Sequence, residues 1–265
     1  MGQGVQGVLS VRVCAVQADT VWEDKQANMT LCRRFYEQAG DCGLVVFPEL
    51  SLTAFSPKRS LCEPVNGSTV GFFKELTRGA APAVCFGYGA EEGGRIFNRM
   101  CVCAHGEVVA QYDKLHPFTI GGEIFSAGER AVCADIAGGR TGLTICYDLR
   151  FPELYQRLSR ECRVIVCAAN WPAARRAQLE ALARARAIET QSFVILCNRT
   201  GTGGGIAYDG GTAVYSPLGE TVAAAQGASQ QAVFADIDVG AADAARAAFP
   251  VAADRRKELY RSFYE

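Results

Sequence analysis

The spacing of its short apolar runs constrains this chain most. Ten of them, five to eight residues long, fall at 11–17, 44–48, 83–90, 97–104, 107–112, 141–146, 163–168, 193–198, 211–216 and 231–237. Runs of that length, bounded by Gly, Pro and polar residues, read as strands and are too short for buried helices. Helical patterns separate the strands in 11–80 and 141–200. Adjacent strands with no helix between them fill 83–112 and 205–237. Helical crossovers join parallel strands and tight turns join antiparallel ones, so the chain needs mixed sheets. A 49% hydrophobic composition over 265 residues is enough to bury a sizeable core. No segment rich in Pro, Ser or charge divides it, so one domain spanning 1–265 is expected.

Two helices are legible in detail. "DKQANMTLCRRFYEQAG" opens on an Asp able to cap, spaces Leu31 and Phe35 by four, and ends at Gly40. "AARRAQLEALARARAIETQ" is rich in Ala, Leu, Arg and Glu, without Gly or Pro. Leu179, Leu182 and Ile188 are its expected core positions, and its arginines an expected solvated or paired face. The glycine-dense "RTGTGGGIAYDGG" lacks the GxxxxGK[ST] spacing of a phosphate loop and no helix follows it, so it reads as a mobile turn between strands.

Composition excludes several classes. A formal net charge of −1 offers no basic surface for nucleic acid or an anionic membrane. The start, "MGQGVQGVLSVRVCAVQ", lacks the basic and long apolar regions of a signal peptide, and "MGQGVQ" lacks Ser or Thr at the sixth position of a myristoylation signal. No stretch approaches the roughly 20 apolar residues of a membrane span. Twelve cysteines form no CxxC pair and only two histidines could join them, so no metal site is expected. Cys14, Cys167 and Cys197 sit in apolar runs and read as small buried hydrophobes. So many thiols suit a reducing cytoplasm.

The tetrapeptide FPEL occurs twice, at Phe47–Leu50 and Phe151–Leu154. The first closes the strand "GLVV" and puts Glu49 where active groups gather in α/β folds. Flanking by Phe47, Pro48 and Leu50 desolvates its carboxylate, which raises the pKa and makes a better proton acceptor. The second follows "TICYDLR". Here Cys146 lies at a strand-to-helix junction, where nearby N–H groups favour a thiolate. Glu153 falls in the first helical turn, suited to pairing with an arginine such as Arg150, and reads as structural. In "AQYDKLHPF", Lys114 closes a strand that His116–Pro117 breaks.

Together "VVFPEL", "YDKLHPF" and "LTICYDLRFPEL" resemble the motifs of the nitrilase superfamily, the carbon–nitrogen hydrolases, whose members carry a Glu–Lys–Cys triad in that chain order. The similarity runs on through "AANWPAARRAQLEALARARAIETQSFVILCNRTG" and spans about residues 10–240. It implies an αββα four-layer sandwich, and a homodimer or higher homo-oligomer helped by the tail at about 240–265. It implies Cys146 as nucleophile and Glu49 as general base. Lys114 and the Tyr147 N–H become the oxyanion partners, and Glu123, rather than Glu129, a further catalytic glutamate. No metal or organic cofactor is implied. "ANWPAAR" resembles the omega-amidase branch, which hydrolyses dicarboxylate monoamides such as 2-oxoglutaramate. Arg175 would then grip the distal carboxylate, with Phe118, Tyr147 and Trp171 around the pocket. Gln178–Leu179 replaces a His-Trp found in many relatives. Nitrilase and carbamoyl-hydrolase activities are the alternatives within the superfamily, and a non-catalytic binding protein the alternative outside catalysis. A papain-like Cys–His pair has only His105 and His116 to draw on.

Overall fold

The computed structural model describes residues 10–79, 82–136 and 138–263; the reading of "MGQGVQ" lies outside them. One sheet joins β1 (Ser10–Gln17), β2 (Leu44–Val46), β3 (Glu63–Pro64), β4 (Ala83–Glu92), β5 (Arg95–Ala104), β6 (Glu107–Asp113) and β15 (Gln231–Asp238). Its order is β15-β1-β2-β4-β5-β6, with β3 beside β4. The second sheet joins β7 (Cys133–Ile136), β8 (Gly139–Ile145), β9 (Val164–Ala169), β10 (Phe193–Asn198), β13 (Ala213–Tyr215) and β14 (Thr221–Ala224), in the order β14-β13-β10-β9-β8-β7. β11 (Thr200–Gly203) and β12 (Ile206–Asp209) form a separate hairpin.

Both sheets follow one plan. Three central strands run parallel, β1-β2-β4 and β8-β9-β10; one antiparallel strand flanks them on one side and two on the other. The facing surfaces share a core, in which Val13, Leu44 and Met100 of the first sheet meet Ile145, Val166 and Ile195 of the second. Helices α1 (Lys25–Ala39) and α2 (Ser68–Leu76) cover the outer face of the first sheet, Phe35 and Phe73 packing into a core with Phe86 of β4. The Phe73 and Phe86 rings stack at 3.9 Å. Burying each such ring contributes about 1.5–3 kcal/mol. Helices α3 (Pro152–Leu158) and α4 (Arg176–Thr190) cover the second sheet through Leu158, Leu179 and Ala183. The layers are therefore helix, sheet, sheet, helix, the expected αββα sandwich. Two further helices, α5 (Gly240–Ala248) and α6 (Lys257–Arg261), follow β15. Among the described residues no helix is long and apolar enough to cross a membrane.

Local chemistry sets the helix ends. The Asp24 side chain accepts from the Ala27 N–H at 3.0 Å, and α1 stops at Gly40 with φ 53°. One expectation needs correcting and one is sharpened. Ile188 is half exposed, and α4 turns Leu179, Ala183, Arg186 and Ala187 inward instead. These recur at intervals of three and four, whereas Ile188 is one residue, about 100°, off that line. Arg186 is no solvated arginine: it is buried, donates to the Leu149 carbonyl at 2.9 Å, and pairs with Glu189 at 3.0 Å. The glycine-dense segment forms the β11–β12 hairpin, with the expected turn between strands at Gly204–Gly205.

Candidate active site

Catalytic-type groups collect where strands of both sheets end. β2 stops at Val46, and the chain turns at Glu49–Leu50, where Leu50 has φ 48°. The turn lies so close to β4 that a Cβ on Gly87 would sit 2.6 Å from the Leu50 nitrogen. Ser51 fastens it: its N–H donates to the Gly87 carbonyl at 2.8 Å, and its hydroxyl accepts from the Gly87 N–H at 3.0 Å. Glu49 is thereby held 1% exposed. Its Oε1 accepts from Asn98 Nδ2 at 2.7 Å and Lys114 Nζ at 3.0 Å, and its Oε2 from the Asn170 N–H at 2.9 Å.

Lys114 follows β6 and is buried between two carboxylates, 3.0 Å from Glu49 and 2.9 Å from Glu123. Burial alone would push its pKa down. The charges of Glu49 and Glu123 more than offset that, so the group is held above its ordinary value as a cation. Glu123 also accepts from Asn98 Nδ2 at 3.0 Å and from the Phe118 N–H at 2.5 Å. Glu129 instead pairs with Arg95 at 3.2 Å on the surface. Asn98, fully buried on β5, thus spends one NH2 group on both carboxylates.

Cys146 opens a short 3₁₀ turn, Cys146–Arg150, between β8 and α3, and has φ 45°. A non-glycine residue in that region is held there by its surroundings. Asp148 supplies the restraint: its buried carboxylate accepts from the Ile145 N–H at 3.0 Å, the Tyr112 hydroxyl at 2.7 Å and the His116 N–H at 3.1 Å. The His116 ring meets the same carboxylate at 2.8 Å and stacks on Phe151, so His116 ties the lysine loop to the cysteine turn. The expected thiolate is corrected here. Burial first, then the Glu49 charge, push the Cys146 thiol well above its ordinary value. Lys114 and the Asn170 N–H pull the other way and do not prevail. The resting thiol is neutral because the packing around it and the Glu49 charge outweigh the helix-end N–H groups.

Cys146, Lys114 and Glu123 line a cavity of about 560 Å³, and Phe118, Tyr147, Trp171 and Arg175 line it too. Arg175 ends the 3₁₀ turn before α4, with its guanidinium carbon 5.5 Å from the centre of the Phe118 ring. Trp171 is a wall rather than a donor, since its indole N–H is spent on the Arg175 carbonyl at 2.9 Å. Arg150 lines the cavity as well. It lies over Trp171 at 4.7 Å and donates to Gln178 Oε1 at 2.7 Å, so the Gln178 replacement acts on the cavity through Arg150. Glu153 lies in the first turn of α3, outside this cluster.

Sequence reasoning missed Asn98, Asn170 and the far wall. Asn98 was detectable as the lone amide inside the apolar run "IFNRMCVC". The far wall comprises Trp22, Ile206 and Tyr208, which no motif joins. Fully buried Arg199 braces it, donating to the Thr20 carbonyl at 2.7 Å and stacking 4.5 Å from the Tyr208 ring centre. Gly204 (φ 56°) comes so close to Trp22 that a Cβ would lie 2.6 Å from that ring.

Comparison with known proteins places this geometry. The carbon–nitrogen hydrolase family model matches residues 12–247. Hydrolase Rv0480c of Mycobacterium tuberculosis is 34% identical over 247 residues, 84% of this chain and 88% of its own. Omega-amidase YafV of Escherichia coli K12 is 29% identical over 243 residues, 91% and 94% of the two chains. The crystal structure of XC1258 from Xanthomonas campestris, a CN-hydrolase superfamily protein, matches with a TM-score of 0.86 at 30% identity, over 93% of this chain and 97% of that one. On that span of shared sequence and fold, the chain belongs to the carbon–nitrogen hydrolase family of the nitrilase superfamily.

Proposed function

We propose that this carbon–nitrogen hydrolase is an amidase for small carboxylate-bearing amides, working through a thioacyl intermediate on Cys146. The observation that carries the reading is the buried Glu49–Lys114–Glu123 cluster beside a neutral cysteine thiol, in a cavity that also holds two guanidiniums. Glu49 Oε1 is fixed by Lys114 and Asn98, which leaves Oε2 as the basic oxygen. Oε2 and the Cys146 sulfur both face the Asn170 N–H. The thiol proton passes to Oε2 as sulfur attacks the amide carbon. The Lys114 ammonium and the Tyr147 N–H stabilise the oxyanion, each such donor being worth about 3 kcal/mol. Glu49 then returns the proton to the leaving nitrogen, and ammonia departs. Water, deprotonated by the same carboxylate, releases the acid and restores the thiol.

Two buried carboxylates against one ammonium give the cluster an excess negative charge. An acidic substrate therefore needs cations of its own, and Arg175 and Arg150 supply them. The omega-amidase name of the YafV relative agrees with this substrate class. Twelve free thiols fit a reducing, cytoplasmic setting. Ammonia release from matched amides, nitriles and carbamoyl compounds tests the proposal. The amide with an acidic tail is expected to be turned over fastest; faster release from the nitrile, or carbon dioxide appearing with ammonia, would overturn it.

A further inference from the structure

Away from the catalytic cavity, two thiols meet. Cys133 begins β7, at the edge of the second sheet, and Cys162 lies between α3 and β9. Their sulfurs are 2.7 Å apart, with the Cys162 thiol donating. Cys162 is fully buried and anchored at both backbone groups: its N–H donates to Leu158 at 2.9 Å, and its carbonyl accepts from Arg246 at 3.0 Å. Cys133 is half-buried and lines a surface cavity of about 630 Å³, together with Arg130, Arg140, Arg157 and Glu161. Arg140 and Arg157 both reach Glu161, at 3.1 and 2.6 Å, beside the sulfur pair. This cavity and the catalytic one share no lining residue.

We propose that Cys133 and Cys162 are a second reactive centre, an oxidisable dithiol whose co-reactant is a hydroperoxide. Cys133 is the attacking sulfur, because it alone of the pair borders the solvent cavity. It attacks the outer peroxide oxygen; an S–O bond forms, the O–O bond breaks, and an alcohol (water, from hydrogen peroxide) leaves with the thiol proton. The Cys162 sulfur then attacks the sulfenic acid. An S–S bond forms, the S–O bond breaks, and hydroxide leaves as water with the Cys162 proton. Two thiols lose two electrons and one peroxide gains them. The sulfurs already lie side by side, so the second step needs no long-range approach of one thiol to the other.

The surroundings favour this chemistry at Cys133 over other thiols. The Cys162 donor, with Arg140 and Arg157 behind it, holds the Cys133 thiol below its ordinary value against burial and Glu161. Cys62, also half-buried, is pushed up by burial and by Glu91. Thiolate reacts and thiol does not.

The test uses the whole native chain and an equivalent of hydrogen peroxide, followed by alkylation of remaining thiols and peptide mapping with and without reductant. A reductant-sensitive link between the Cys133 and Cys162 peptides is expected. It should form before Cys62 is measurably oxidised, because thiolate character is favoured at Cys133 and disfavoured at Cys62. Cys162→Ser is expected to stop at a sulfenic acid on Cys133, captured by dimedone. Should that variant fold poorly, wild-type chain in denaturant serves instead, and the preference for this pair must vanish there. Oxidation of Cys133 no faster than Cys62, or persistence of the preference in denaturant, would overturn the proposal.

Discussion

Glu49 and Glu153 stand in identical tetrapeptides, yet their surroundings give them different work. Three N–H donors converge on Glu49, whereas Glu153 sits on the first turn of α3, where a carboxylate steadies the helix N-terminus. Glu49→Gln is expected to lower kcat about 10²–10⁴-fold, the usual worth of a general base. It also costs about 1–3 kcal/mol of stability, because the new amide must point a donor at another donor. Glu153→Gln is expected to leave kcat unchanged and to cost about 0.3–1 kcal/mol. Kinetics alongside urea unfolding separates the two, and a loss of kcat in Glu153→Gln would reverse the assignment. For Arg175 the readout is selectivity. Arg175→Ala is expected to reduce kcat/KM about 10- to 150-fold for succinamate, the loss of a charged hydrogen bond worth about 1.5–3 kcal/mol, and to leave butyramide nearly unaffected. Equal losses on both amides would mean that the guanidinium does not read the carboxylate.

Elements decide where these residues meet. In the common plan of the two sheets, β8 takes the position of β1, and β9 that of β2. The first FPEL follows β2 and the second follows β8, so the two are not topological equivalents. What stands after β9, opposite Glu49, is Asn170, whose N–H binds Glu49 Oε2 and whose side chain donates to the Glu49 carbonyl at 2.6 Å. The turn carrying Glu49 depends on β4 having no side chain at position 87. Gly87→Ala is expected to cost about 1–3 kcal/mol through overpacking against Leu50. It should also lower kcat by displacing Glu49, while the preference for an acidic tail proposed for Arg175 is retained. A variant with normal kcat and a lowered melting temperature would show that the turn tolerates the shift.

At the scale of the molecule, burial of thiols makes stability depend on pH. Burial pushes Cys167 up to about 11, and Cys14, Cys101 and Cys103 up to about 12, from an ordinary 9.0. The folded chain keeps protons that the unfolded chain releases, so stability is full below the unfolded value and falls as pH rises past it. The expected slope is about 1.4 kcal/mol per pH unit for each such thiol. Urea midpoints measured from pH 8 to about 11 should fall steeply above about 9; a flat profile would refute the buried-thiol account. The end of the chain exposes apolar surface as well, with Phe249 and Phe263 71% and 66% exposed. We propose that this tail packs against a second copy, and that residues 1–265 otherwise act as a single domain. Sedimentation of the full chain is expected to give a dimer, and Phe249→Asp to shift it toward monomer.

The sequence by itself determined an α/β class with mixed sheets, because strand period, helix caps and the lengths of connections are local properties; the four-layer arrangement was implied only by the family resemblance. Each of the ten apolar runs overlaps a strand, though only three residues of 44–48 and of 211–216 are in one, and the Asp24 cap and Gly40 stop are where local chemistry puts them. Glu49, Lys114 and Cys146 stood out only through the resemblance of their three motifs to the nitrilase superfamily, because each alone reads equally well as a structural residue. Only the tertiary structure decided the protonation of Cys146, because desolvation is a property of everything packed around the thiol. Only packing revealed Asn98 bridging two carboxylates, Gln178 acting through Arg150, and the Trp22–Tyr208 wall. These groupings bring together residues as far apart as Trp22 and Tyr208, and no local pattern carries information across that distance.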